Sequence, residues 1–170
     1  MSVKLRSELR PDDPIAVQDS REQYGLCLDP LHVEIGTLTT GDYSIRGLEH
    51  VIAVERKSAE DILACIGRER ERFDREVQRL LAYPVRAIVV ESTWHFFERG
   101  EWRGNVTTNA AIGSLLGWIC SGVPIVMANN HERAGRFVSR MLFTAARRRW
   151  REAHALVASV SQAEMEEATA

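Results

Sequence analysis

Residues 41–61 read GDYSIRGLEHVIAVERKSAED, and the rest of the chain is built around the hairpin and helix start they encode. DYSIR (42–46) and VIAVERK (51–57) are β-forming runs joined by a Gly-containing loop, which predicts a hairpin. Side chains alternate faces along a strand, so Val51, Ala53, Glu55 and Lys57 share one face while Ile52, Val54 and Arg56 share the other. If Arg46 pairs with Val51, a regular antiparallel ladder sets Asp42 directly opposite Glu55, with Cβ atoms roughly 4.5–5.5 Å apart. Carboxylates placed in this way repel unless a cation or a proton sits between them. SAED (58–61) then reads as a capping box, Ser58 capping and Asp61 reaching back, so a helix starts directly after the lysine.

Outward from the hairpin, helices and strands alternate. IAVQD (15–19) and HVEIGTL (32–38) read as short strands, preceded by a polar, Pro-punctuated arm over residues 1–14. Residues 68–82 continue in helical style, VRAIVVE (85–91) suits a buried strand, and PIVMA (124–128) suits another. TTNAAIGSLLGWIC (107–120) predicts a largely buried helix. From residue 134, Ala134, Phe137, Val138, Met141, Leu142 and Ala145 follow the i, i+3, i+4, i+7 spacing of an amphipathic helix. After Trp150, alanines alternate with acids, and this segment is expected to fray. The division is therefore a domain over residues 1–150 and a C-terminal tail over 151–170. The fold class is α/β, a mixed central sheet flanked by helices, in which functional residues gather at strand ends.

Composition narrows the function classes. With 170 residues the chain can bury one substantial core. A net charge of −2 argues against holding nucleic acid by bulk charge, but it permits local basic patches around an acidic, cation-binding centre. Cys27, Cys65 and Cys120 are too few and too scattered for a disulfide framework or a cysteine-based zinc site. No apolar run is long enough to span a bilayer and no targeting signal opens the sequence, so the chain reads as intracellular, with no membrane partner.

Asp42 facing Glu55, with Lys57 one step along the same face, suits a hard divalent cation beside a positive group. Mg²⁺ takes oxygen ligands and is often held by only one or two carboxylates. It lowers the pKa of bound water and stabilises negative charge at phosphorus, while a lysine can orient the attacking water or neutralise developing charge. The competing reading has Asp42 starting a turn after Gly41 while Glu55 and Lys57 pair as a solvated ion bridge. On spacing and charge alone the two readings stand level.

GDY, then ERK, then an Asp four residues after the lysine resembles the signature of the XPF-type structure-specific endonucleases, the ERCC4-domain family that includes the archaeal Hef nucleases. VQDSRE (17–22) resembles that family's first motif, GRERERFDREVQRLLAY (67–83) its helix after the active site, and AIVVE (87–91) the following buried strand. The likeness spans residues 15–145. It implies a restriction-endonuclease-like core and a Mg²⁺-dependent endonuclease, Mn²⁺ being the alternative ion, acting on branched, flapped or forked DNA in repair or recombination. It makes Asp42 and Glu55 the principal metal ligands, with the Arg56 carbonyl completing the set. Asp19 and Glu22 match acids lining the same centre, and Lys57 matches the catalytic lysine. Arg21 matches the arginine between the acids, where an exposed strand-end charge is an equal reading. Asp61 matches the last acid of the signature, although its capping role explains it equally well.

The family's usual DNA-gripping modules have no counterpart after residue 150, so a separate partner protein could supply them. A non-catalytic DNA-binding or scaffold subunit is the alternative, opposed by the presence of every acid and the lysine. Helix 107–120 is apolar around most of its circumference; the helix from 134, next in chain order, is expected to cover part of it and to leave Leu116 and Trp118, or Ile112 and Ile119, outward. This and the resemblance lead to an expected homodimer built on helices 107–120 and 134–149. The compact size is a weak pointer to a bacterial or viral source.

Phosphate contacts are expected from Arg21, Arg68 and Arg72. Arg68, Arg72, Arg75 and Arg79 share one helical face, yet residues 68–79 hold five Arg against four acids, so i, i+4 ion pairing competes. The aromatic group at Trp94, Phe96, Phe97 and Trp102 is expected to pack against the domain rather than stack on bases. His131 reads as a helix-start residue. RRRWR (147–151) reads as a solvated helix C-terminus favourable to cations.

Overall fold

The computed structural model describes residues 6–169, with side chains through residue 160. The elements run β1 (Ile15–Asp19), β2 (His32–Gly36), β3 (Tyr43–Ile45), β4 (Ile52–Lys57), α1 (Ala59–Ile66) and α2 (Arg70–Leu81). They continue with β5 (Val85–Val90), α3 (Trp94–Arg99), α4 (Thr108–Cys120), β6 (Ile125–Met127) and α5 (His131–Thr169). The six strands form one sheet in the order β2-β1-β3-β4-β5-β6. Pairing is antiparallel for β1–β3 and β3–β4, and parallel elsewhere, so the sheet is mixed as the sequence predicts.

Strand alternation divides the core in two. Ile52, Val54 and Val89 point to one face, where Val138, Leu142 and Ala145 of α5 cover them. Ala53, Ile88 and Val90 point to the other, under Ile62, Phe73, Leu80, Phe97 and Leu115 of helices α1 to α4. The same alternation carries past the apolar part of β4. Glu55 and Lys57 therefore emerge on the α2 side and Arg56 on the α5 side.

The predicted capping box is present: Ser58 Oγ accepts from the Asp61 N–H at 3.1 Å, and Asp61 Oδ2 accepts from the Ser58 N–H at 3.2 Å. The helix expected from residue 68 begins at Arg70, because Gly67 closes α1 through its N–H to the Leu63 carbonyl and a turn follows. The aromatic segment after Glu91 forms α3, with Phe97 fully buried and Phe96 and Trp102 packed around it.

Three expectations change. Helix α5 does not cover α4, since the two lie on opposite faces of the sheet. Trp118, in one of the two pairs expected to lean outward, is 4% exposed: it meets the Phe73 ring edge-on and donates its indole N–H to Asp74 Oδ1 at 3.2 Å. The outward stripe of α4 is Leu116 and Ile119, because Ala111, Leu115 and Trp118 already take the inward i, i+4, i+7 stripe. RRRWR is not a helix C-terminus, since α5 continues through it to Thr169, and Arg148 and Arg149 pair with Glu152. Among the described residues no helix is long and apolar enough to cross a membrane.

Candidate active site

Tyr43 pairs with Val54, which is the register predicted for the hairpin. The ladder ends there, one step earlier than expected. The Asp42 N–H turns to the Val54 carbonyl at 2.8 Å instead of opening a regular pair with Glu55. Gly41 makes this turn with φ +80, and a Cβ at that position would lie 3.1 Å from the Val54 backbone N and O. Both the positive φ and the close approach call for glycine. Asp42 is thereby folded over the end of β4, where its Oδ2 accepts the Arg56 N–H at 2.7 Å.

This places Asp42 beside the buried Glu55 carboxylate. Burial, and then the charge of Glu55, push the Asp42 carboxyl up to about 7. Lys57 Nζ hydrogen-bonds Glu55 Oε1 and lies 4.0 Å from Glu76 Oε2 on α2. Burial alone lowers the affinity of Lys57 for its proton, but the charges of Glu55, Asp42 and Glu76 outweigh it and hold the ammonium above the ordinary lysine range. The lysine also sits 5.5 Å from the Phe73 ring centroid. Asp42, Glu55 and Lys57 line a polar cavity of about 210 Å³, whose rim includes Arg72, Glu76 and Arg79 of α2 and Thr39 and Thr40 of the loop before Asp42.

Asp19 lies at the same cavity with both carboxylate oxygens engaged. Oδ1 accepts from the Arg21 N–H at 2.9 Å and from Arg21 Nε at 2.6 Å, while Oδ2 accepts from Arg21 Nη2 at 3.1 Å and the Leu38 N–H at 2.7 Å. The Arg21 side chain, foremost, and these backbone donors hold its pKa at about 2. Arg21 also donates to the Leu38 carbonyl, so the pair clamps the loop leading to Gly41. Glu22 lines the cavity, accepts the Tyr24 N–H at 2.8 Å and lies 3.8 Å from Arg56.

Arg56 itself faces away from Lys57. Its guanidinium makes a two-point contact with Glu91, at 2.7 and 2.9 Å, and His131 Nδ1 lies 2.7 Å from the same carboxylate. Arg56 therefore ties the end of β4 to the residue after β5 and to the start of α5. Asp61 is committed to its cap on Ser58 and is not among the cavity residues.

The basic residues divide. Arg68 sits in the turn before α2, pairs with Glu69 at 3.4 Å and does not line the cavity. Arg72 lines it but is held by Glu69 and by Glu76 Oε1. Arg79 lines the cavity, is exposed, and its side chain makes no hydrogen bond or ion pair among the described residues. Glu76 has no place among the sequence expectations, and Arg79 enters them only as one of four arginines on a helical face. For Glu76 a signal existed: it lies three residues after Phe73 and four before Leu80, so this acid sits next to the apolar face of α2.

Among the described residues no group of three or more His, Cys, Asp or Glu side chains forms a metal-holding cluster. The pair Asp42 and Glu55 nevertheless fits a hard divalent ion. Two crowded acid groups in a partly buried, oxygen-rich pocket form a donor set of the kind Mg²⁺ uses when waters and substrate complete its shell.

The family described as the ERCC4 domain matches residues 13–141 in sequence. In fold, the chain is similar to XPF from Aeropyrum pernix, with a TM-score of 0.65 and 19% identity over 79% of this chain and 62% of that one. It is also similar to XPF from Aeropyrum pernix in complex with DNA, with a TM-score of 0.60 and 19% identity over 78% of this chain and 64% of that one. The chain thus spans less than two thirds of either structure, and at this identity the likeness is one of fold. No curated protein matches the sequence.

Proposed function

The chain belongs to the ERCC4-domain family of XPF-type nuclease domains, and from that premise we propose that it is a divalent-metal-dependent endonuclease hydrolysing phosphodiester bonds at branched, flapped or forked DNA. The observation that carries this reading is the convergence of Asp42, Glu55 and Lys57 at one polar cavity, beside Arg79, whose side chain has no hydrogen-bond or ion-pair partner among the described residues.

Asp42 and Glu55 are the residues that would hold Mg²⁺ or Mn²⁺, which when bound supplies a Lewis acid and acidifies water. Lys57 brings a fixed positive charge to the place where negative charge grows on the phosphate during hydrolysis. The Arg56 N–H and the turn at Gly41 orient Asp42. Asp19 and Arg21 support the site through the Leu38 loop, and Glu22 adds negative charge at its edge. Arg79, with Arg21 and Arg72 on the rim, contacts the DNA backbone. Arg68 lies beyond the cavity, where a longer duplex would reach it.

Cleavage of such DNA places the protein inside the cell, in repair or recombination. A homodimer remains part of the proposal, because Leu116, 49% exposed, and Ile119 and Phe137, each 37% exposed, lie on the helices that precede and follow β6. A separate partner could add further DNA-binding surface.

The deciding experiment is Mg²⁺-dependent cleavage of duplex, flap, fork and four-way DNA by the purified chain. Cleavage of flap or fork but not plain duplex is expected. Tight DNA binding without cleavage in Mg²⁺ or Mn²⁺ would instead establish the non-catalytic subunit.

A further inference from the structure

We propose that Glu76 is a positioning residue that receives the Lys57 ammonium and so frees Glu55 for a divalent ion. The inference rests on the metal-centre reading above and extends it to a residue on α2.

A divalent ion on the Glu55 carboxylate would lie beside the Lys57 ammonium, and the two positive charges would repel each other. Its Oε1 is hydrogen-bonded to Lys57 Nζ, and an ion bound at that oxygen would compete with the ammonium. Lys57 is largely buried, so leaving Glu55 without a new partner would strand a charge away from water, which is costly.

Glu76 supplies the new partner. Its Oε1 is occupied by Arg72 Nη1 at 3.0 Å, but its Oε2 is buried with no hydrogen-bond partner among the described residues and faces Lys57 Nζ at 4.0 Å. A buried carboxylate oxygen without a donor is unfavourable, and native structures rarely retain one without a reason. An ammonium carries three donors, and a movement of about 1 Å turns the 4.0 Å contact into a hydrogen bond. Phe73 beneath the lysine keeps the path short by closing the apolar side. Helical spacing accounts for the placement, since Phe73 and Glu76 are three residues apart and adjacent on α2.

The test is Mn²⁺ binding to the full chain without DNA, by titration calorimetry, in the wild type, Glu76→Gln, Lys57→Met, the double variant and Asp42→Asn. Glu76→Gln is expected to weaken Mn²⁺ binding about tenfold when Lys57 is present, and to have no further effect in the Lys57→Met background. Glu76→Asp, which keeps the charge but draws it back from Lys57, should weaken binding in the same direction, and it reads the effect if Glu76→Gln folds poorly. Equal weakening in both lysine backgrounds would make Glu76 a direct ligand and overturn the proposal. An unchanged Kd with a lowered melting temperature would reduce Glu76 to packing and overturn it too. Wild-type binding that Asp42→Asn abolishes and Glu76→Gln leaves intact sinks this inference alone. No Mn²⁺ binding by the wild type removes the metal centre and this inference together.

Discussion

The Arg56 backbone N–H donates to Asp42 Oδ2 at 2.7 Å across the hairpin, so the acid at its mouth is held by the strand that carries Glu55 and Lys57. The hydrogen bond ties the position of one carboxylate to that of the other. Asp42→Asn or Glu55→Gln should therefore remove ligand charge while leaving the hairpin folded. Cleavage is expected to fall by about a thousandfold or more, with DNA affinity nearly unchanged. Parallel cleavage and binding assays check this, and full cleavage by both variants would place the centre elsewhere.

The same crowding gives a pH signature in stability. An Asp ordinarily titrates near 3.8, and burial followed by Glu55 raises Asp42 to about 7. Between these values the folded chain binds more protons than the unfolded one, so metal-free stability falls as pH rises from about 4 to 7. Asp42→Asn should raise the melting temperature at pH 8 and lose that advantage near pH 4. A gain that persists unchanged at pH 4 would contradict the assignment.

Asp19 behaves in the opposite sense. Its pKa, held at about 2 chiefly by Arg21, means a contribution that is present above 3.8 and is lost as pH falls through 2. Asp19→Ala strands the Leu38 N–H and should cost roughly 1–3 kcal/mol at pH 7. Urea unfolding at pH 7 and at pH 2 measures this, and the difference between variant and wild type should shrink in acid.

Lys57→Ala should lower turnover strongly at saturating Mg²⁺, because the ammonium acts on developing charge rather than on ion capture. Single-turnover rates over a Mg²⁺ titration test this. Full recovery at high Mg²⁺ would assign the lysine to ordering the site.

Arg79→Ala should weaken DNA binding uniformly and reduce the salt slope by about 1, since one phosphate contact is lost. Its melting temperature should not move, because the exposed side chain has no hydrogen-bond or ion-pair partner among the described residues. Arg72→Ala, which breaks contacts to Glu69 and Glu76, should lower both. Fluorescence anisotropy over a salt series distinguishes the two.

Sedimentation at micromolar concentration tests the dimer. Leu116→Glu with Ile119→Glu should shift a dimer to monomer mass, and a wild-type chain of monomer mass throughout, with full activity, would sink the pairing.

Local patterns were enough for much of this protein. Period-two alternation in residues 51–57 already separates Glu55 and Lys57 from Arg56, because neighbouring strand side chains must point to opposite faces. The capping box at Ser58 and the amphipathic spacing from Ala134 are likewise local, and the structure carries both. The family signature is legible because its residues lie close together in the chain. Meetings between distant segments lie beyond any local pattern: Glu76 with Lys57, Glu91 and His131 with Arg56, and Arg21 folded back on Asp19 with Leu38. Each depends on how a helix or loop docks against a strand end, and periodicity states a face without naming what covers it. For the same reason the sequence could not show that α4 and α5 take opposite sides of the sheet. The short strand β6 lies between them in the chain, and its place at the sheet edge sends the two helices to different layers.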